Sequence, residues 1–306
     1  MAIPEAQLET WTALGSEAQS RDTYATIKRV LEDSRSPYYS RSFDVFLQGS
    51  HGNDTNVYGD SDVDIVIRQT SLYYYDINSL GEAEKIAFRR DHTSPAQYTL
   101  HNFRRDVASW LSQQYPQDFD PSGKKALYIR QRNNRRSADV LVCARHRRFL
   151  SYESAQSQRF IEGIIFFPTD GGEIVNCPKQ HSDNMTAQHQ ATAGWLKPAV
   201  RIFKNMRNKM IADRMLRSGV APSYYLEGLL HGAPPNVFNT DWRTAIAGCL
   251  SWAVQTDKTQ LLCANRVHPL IRDNQRTSWP TADCEAFLNA AVRLWSDWGG
   301  PRRIVI

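Results

Sequence analysis

Phe46-Leu47-Gln48-Gly49-Ser50, a loop from His51 to Asp60, and then Ser61-Asp62-Val63-Asp64-Ile65-Val66-Ile67 is the stretch on which the reading of this 306-residue chain turns. Phe43 to Leu47 is a short β-prone run stopped by Gly49-Ser50, and Val63, Ile65 and Ile67 are β-branched residues alternating with the acids. Residues two apart leave a strand on the same face. Asp62 and Asp64 are therefore expected side by side, with Val63, Ile65 and Ile67 turned to a core. Adjacent carboxylates repel, and burying them unpaired is costly. A divalent cation removes the conflict: magnesium takes one or two carboxylates and leaves positions for water and phosphates. Upstream, Gly49-Ser50 ends a strand where free backbone N–H groups and the Ser50 hydroxyl can receive phosphate oxygens.

Two magnesium ions about 3.5–4 Å apart, replaceable by manganese, would serve both the attacking and the leaving oxygen of a phosphoryl transfer, and they call for a third carboxylate. Asp139, in Ser137-Ala138-Asp139-Val140-Leu141-Val142, again heads an apolar strand. Asp120, Asp170 and Asp183 remain alternatives.

Outward from this segment, Tyr24 to Leu31 reads as a helix, Ala126 to Arg130 and Ala138 to Val142 as a hairpin, and Ile164 to Phe167 with Glu173 to Val175 as strands about the paired glycines 171 and 172. From about Met185 the pattern turns helical. Leu196, Ala199, Phe203, Met206 and Met210 form one apolar stripe, and Lys197, Arg201, Lys204 and Asn208 a polar one beside it. Further helices are expected at Ser223 to Leu230, Trp242 to Val254 and Asp283 to Trp298. The fold class is α+β: a sheet-bearing catalytic lobe over 1–180, with an N-terminal helix, followed by a helical lobe over 181–306.

Composition excludes several classes. With 41% hydrophobic and 23% charged residues the chain reads as globular. No apolar run approaches the roughly 18 residues of a membrane span, and the first twenty residues lack a secretory pattern, so a cytoplasmic location is expected. Five scattered cysteines, without a CxxC pair, point to reduced, buried thiols and away from zinc. A formal charge of +5 suits a polyphosphate ligand. Two arginine clusters, Arg130/Arg132/Arg135/Arg136 and Arg145/Arg147/Arg148, read either as solvated strand ends or as a nucleic-acid or nucleotide-binding surface.

The Gly-Ser, Ser-Asp-x-Asp and later strand aspartate, together with Gly194-Trp195-Leu196-Lys197-Pro198-Ala199-Val200-Arg201-Ile202-Phe203-Lys204 and Pro222-Ser223-Tyr224-Tyr225-Leu226-Glu227, resemble the DNA polymerase β-like nucleotidyltransferases. Among these the chain is most similar to the cGAS/DncV-like enzymes (CD-NTases). The resemblance implies a polymerase β-like sheet lobe, with the active site in the cleft against the helical lobe. It implies a magnesium-dependent synthase of cyclic di- or trinucleotides from ATP, GTP or other NTPs, acting in bacterial antiphage (CBASS) signalling. Asp62, Asp64 and Asp139 would hold magnesium, Gly49 and Ser50 the donor phosphates. Lys204 and Ser223 match positions that contact the donor triphosphate, with Tyr224 available to stack on a base. The zinc-binding insertion of DNA-activated animal members is absent, so zinc-dependent DNA sensing is not expected. Transfer of one nucleotide to an RNA, protein or small-molecule acceptor is the competing activity.

Overall fold

The alternation around Asp64 belongs to a strand longer than the sequence pattern predicts, because tyrosines and polar residues continue it beyond Ile67. The computed structural model describes residues 2–15, 17–58, 62–238 and 240–299; Gly59, Asp60 and Ser61 of the loop lie outside the described residues. Along the chain the helices are α1 Glu5–Trp11, α2 Ala18–Leu31, α3 Gly49–Gly52, α4 Glu82–Asp91, α5 Leu100–Gln114, α6 Pro178–Ala191, α7 Leu196–Ala212, α8 Ser223–His231, α9 Trp242–Gln255 and α10 Thr281–Ser296. The strands are β1 Phe43–Leu47, β2 Val63–Asp76, β3 Phe119–Asp120, β4 Leu127–Ile129, β5 Ala138–Tyr152, β6 Gln158–Phe166 and β7 Ile174–Asn176. They divide into two compact units, one of residues 17–48 and 62–178, the other of 2–15, 49–58 and 179 onward. A single cut at residue 180 differs from this division in assigning 2–15 and 49–58 to the sheet-bearing part.

In the sheet unit the strand order is β1-β2-β5-β4-β3, with β6 and β7 continuing from the far half of β5. β2 and β5 run parallel and the other pairs antiparallel, which makes a mixed sheet. Val63, Ile65 and Ile67 of β2 and Val140 and Val142 of β5 pack against Ile27 and Leu31 of α2 and Phe103, Val107 and Leu111 of α5. Each such side chain contributes about 1.5–3 kcal/mol when fully buried. The opposite face carries Val66, Cys143, Ile164, Phe166 and Ile174. By alternation that is the face of Asp64 and Asp139, the first such positions of their strands. The turn between β6 and β7 has Gly171 and Gly172 at φ +90° and +74°, which explains the paired glycines.

α1, α4 and α5 are absent from the sequence-based expectation. The signal for α5 was present: Leu100, Phe103, Val107, Trp110 and Leu111 are its buried residues, and Thr99 caps it by accepting from the Asn102 N–H while Asn102 Oδ1 accepts from the Thr99 N–H.

Both arginine clusters are tied within the sheet unit. Arg130 pairs with Asp120 at 2.7 Å, Arg135 with Asp118 at 2.7 Å and Arg148 with Asp76 at 3.4 Å. Arg147 lies over Tyr73 and Phe160 at 4.3 and 4.4 Å from the ring centres. This favours the strand-end reading over a nucleic-acid surface. All five cysteines are buried and unbridged. Among the described residues no helix is long and apolar enough to cross a membrane.

In the helical unit the apolar stripe of α7 is buried as the spacing requires, with Leu196, Ala199, Phe203, Met206 and Met210 at 0% exposure. Leu226, Leu229, Ile246, Phe287 and Trp279 complete that core. His231, at the end of α8, is buried with it, and burial, then Arg266 and His181, push its imidazole down to about 4. The unfolded chain takes up this proton near pH 6.5 and the folded one does not, so the folded state loses stability as pH falls from 6.5 towards 4. The loss is at most about 3 kcal/mol, less where solvent screens the group. Melting temperature followed from pH 7 to 4.5 is expected to fall, and the slope to flatten in His231→Leu; an unchanged slope would exclude this residue as its source.

Candidate active site

Parallel pairing of β2 with β5 sets Asp64 directly opposite Asp139, one interstrand spacing away. Asp62 precedes β2 and accepts a hydrogen bond from the Ser137 hydroxyl, while the Val63 N–H donates to the Ser137 carbonyl at 3.0 Å. Ser137, just before β5, thus ties the two acidic strand ends together; nothing in the sequence pattern singled it out. Asp62 is exposed, and Asp64 and Asp139 are half-buried. Burial raises the Asp139 pKa above the ordinary carboxylate value, and the neighbouring Asp62 charge raises it further.

The register also separates Asp139 from Asp120. Asp139 faces Tyr128 on β4, and Tyr128 faces Asp120 on β3, which puts Asp120 two strands beyond Asp139. Its carboxylate is already held by Ser122 and Arg130. Asp183 lies in the other unit, in an exposed pair with Lys179.

The three acids offer the hard oxygen donors that magnesium prefers, and a cation bound there would offset what burial, then the Asp62 charge, costs the ionised Asp139. The donor set therefore fits a divalent cation. Among the described residues, no three His, Cys, Asp or Glu side chains already stand close enough to hold one ion. The backbone register pairs Asp64 with Asp139, and Ser137 holds Asp62 at the same strand ends.

The turn that follows β1 belongs to the helical unit. Gly49 has φ +69°, a conformation that disfavours any residue with a Cβ. It opens the single-turn α3, and the Asn53 and Thr55 N–H groups donate to the carbonyls of Gly49 and Ser50. The polar stripe of α7 lies against this turn. Lys197 pairs with Asp54 at 2.9 Å, Arg201 donates to the Asp54 carbonyl at 2.7 Å, and Lys204 Nζ donates to Ser50 Oγ at 2.7 Å and to the Thr55 carbonyl at 2.9 Å. Lys204 is 0% exposed, so it acts from beneath the turn, whereas a lysine on an open polar stripe would reach a ligand directly.

Glu227 of α8, which no sequence argument assigned a role, is buried below the same turn. It accepts from Asn53 Nδ2 at 3.0 Å, from the Thr55 hydroxyl and from His181 Nε2 at 2.6 Å. Burial works to raise its pKa, but His181, Thr55 and Lys204 together outweigh burial and hold it below the ordinary value.

Ser223, the first residue of α8, accepts from Arg207 Nη1 at 3.1 Å. Arg207 also lines a cavity of about 470 Å³ with Asn208, Ser218, Gly219, Ala221 and Pro222. Tyr224 stacks on His181 with ring centres 4.7 Å apart, and its hydroxyl accepts from Asn265 Nδ2 at 2.9 Å.

Comparison with known proteins agrees with this architecture. The profile of the cGAS/DncV-like nucleotidyltransferase C-terminal helical domain matches residues 183–296. A cyclic UMP-AMP synthase from Rhodothermus marinus is 31% identical over 300 residues, spanning 98% of this chain and 100% of that protein. The chain belongs to the cGAS/DncV-like nucleotidyltransferases. Within that family, a cyclic nucleotide synthase from Staphylococcus haemolyticus is 30% identical and covers 97% of this chain and all of its own length. The solved Rhodothermus marinus c-UMP-AMP synthase, with Apcpp and Upnpp, superposes with a TM-score of 0.85, 30% identity and 98% coverage of both chains. The Elizabethkingia meningoseptica cyclic dinucleotide synthase shares the fold, with a TM-score of 0.75 at 24% identity. The expected polymerase β-like α+β fold is thus the observed one, and this cGAS/DncV-like chain is a nucleotidyltransferase, a cyclic nucleotide synthase. Enzymes of the family generally use divalent metal ions.

Proposed function

We propose that this enzyme joins two ribonucleoside triphosphates into a cyclic dinucleotide that serves as a second messenger in antiviral defence. The observation that carries the chemistry is the pairing of Asp64 with Asp139 across β2 and β5, with Asp62 beside them. Asp62, Asp64 and Asp139 would hold two magnesium ions. Bound there, magnesium would neutralise triphosphate charge and lower the pKa of the attacking hydroxyl. The chain's own groups supply position and proton transfer. Asp139 accepts the hydroxyl proton on its carboxylate. Gly49 and Ser50 receive donor phosphate oxygens, Lys204 fixes the Ser50 hydroxyl from below, and Ser223, backed by Arg207, offers a further hydroxyl to the triphosphate. Two successive transfers, each expelling pyrophosphate from an α-phosphate, close the ring.

Incubation of the purified protein with magnesium and an equal mixture of four NTPs, followed by phosphatase and mass spectrometry, tests this. A phosphatase-resistant product with the mass of a cyclic dinucleotide is expected, and the mass also identifies its bases. Label appearing only on RNA, protein or a small acceptor in lysate would replace this reading with single transfer.

A further inference from the structure

Glu227 is an ionised group where stability alone does not call for one. Burying a carboxylate is costly, and exchanging a buried ionic cluster for apolar residues of similar volume is often neutral or favourable for stability. What the charge does provide is geometry. Its two oxygens receive three donors from two separate segments, Asn53 and Thr55 of the turn and His181 of α6. Between Asn53 and Thr55, Asp54 adopts φ +55°, uncommon for a residue with a Cβ, and it is held there through its carboxylate by Lys197 and through its carbonyl by Arg201. Thr55 in turn offers its carbonyl to Lys204, which also donates to the Ser50 hydroxyl. A shift of the Glu227 carboxylate is therefore passed through Thr55 and Lys204 to Ser50.

We propose that Glu227 is a positioning residue for nucleotide binding: its buried carboxylate fixes Asn53 and Thr55 so that the turn presents Ser50 to triphosphate oxygens. This rests on the assignment of Gly49 and Ser50 to donor phosphate. Glu227 does not touch the substrate itself. Its loss weakens the enzyme's hold on NTP, whereas a residue important only for folding lowers the active fraction and leaves KM alone.

The test compares Glu227→Gln, Thr55→Val, Thr55→Ser and Ser50→Ala for KM, kcat, melting temperature and binding of a non-hydrolysable NTP analogue. Glu227→Gln keeps the shape and loses the charge; it is expected to raise KM and the analogue's Kd about tenfold with kcat changed less than about threefold. Thr55→Val removes one donor and is expected to raise both about threefold, while Thr55→Ser, which keeps the hydroxyl, returns them to the wild-type range. Should Glu227→Gln fail to fold, the Thr55 pair carries the test. Unchanged KM and Kd in Thr55→Val, or in a folded Glu227→Gln, overturns the proposal. If Ser50→Ala weakens analogue binding and these variants do not, only the positioning role fails. If Ser50→Ala leaves binding unchanged, the phosphate assignment fails and the proposal falls with it.

Discussion

Asp64→Asn is expected to lower turnover at least about 10³-fold, equivalent to about 4 kcal/mol of transition-state stabilisation, with the fold intact. Asn is nearly isosteric and leaves the backbone pairing of β2 with β5 untouched, but it removes a charge from the donor set proposed to hold magnesium. Asp139→Asn is expected to do the same, because it also removes the carboxylate proposed to accept the hydroxyl proton. Asp139→Asn should not melt lower than wild type. Asp62 and Asp139 repel each other, and burial already works against the Asp139 charge, so neutralising it relieves a native-state cost. Asp120→Asn is the informative control. Its carboxylate is engaged by Arg130 two strands away, so turnover should stay within about threefold of wild type. Product formation with magnesium and NTPs, beside thermal melts, reads all three. If Asp64→Asn keeps its turnover, or Asp120→Asn loses it, the acids have been assigned wrongly.

That control marks the limit of what the residues alone reveal. Asp62 and Asp64 were read as a pair because a strand's two-residue period would turn both to one side; Val63, Ile65 and Ile67 are buried as that period requires, while Asp62 itself lies just before β2. Choosing the third acid needs the lateral row Asp64, Asp139, Tyr128, Asp120, which is set by pairing among four strands and has no local signature. The same holds for α7. Its helical spacing identified a polar stripe but says nothing about depth, since identical spacing serves solvent or a buried turn equally well. The turn that covers Lys204 comes from Ser50 and Thr55, 154 and 149 positions earlier. Glu227 stood in the quoted Pro222 to Glu227 segment, and only its three donors, all distant in sequence, give it a role. α5 is a different kind of omission: its apolar period and Thr99 cap were readable in the chain itself.

Lys204→Met should cost about 2–4 kcal/mol of stability, since it leaves the Ser50 hydroxyl and the buried Thr55 carbonyl without this donor, at about 1–3 kcal/mol for each buried group left unsatisfied. The ammonium is fully buried, donates to Ser50 Oγ and the Thr55 carbonyl, and is among the groups that keep the Glu227 carboxyl ionised. Methionine fills much of the space but leaves the Ser50 hydroxyl and Thr55 carbonyl without this donor and removes a charge that adds to the larger effect of His181 on Glu227. Lys179→Met, which removes an exposed pair with Asp183 four residues on, should cost less than about 1 kcal/mol. The sharper outcome is the double variant. If the cost of Lys204→Met is mainly an uncompensated buried charge, Glu227→Gln in the same chain should recover part of it, so the two losses fall short of additivity by about 1–3 kcal/mol in denaturant unfolding. A lysine that served only to grip triphosphate from an open surface would behave otherwise: Lys204→Met would unfold like wild type and lose only nucleotide affinity, and the buried network could not be what holds the turn.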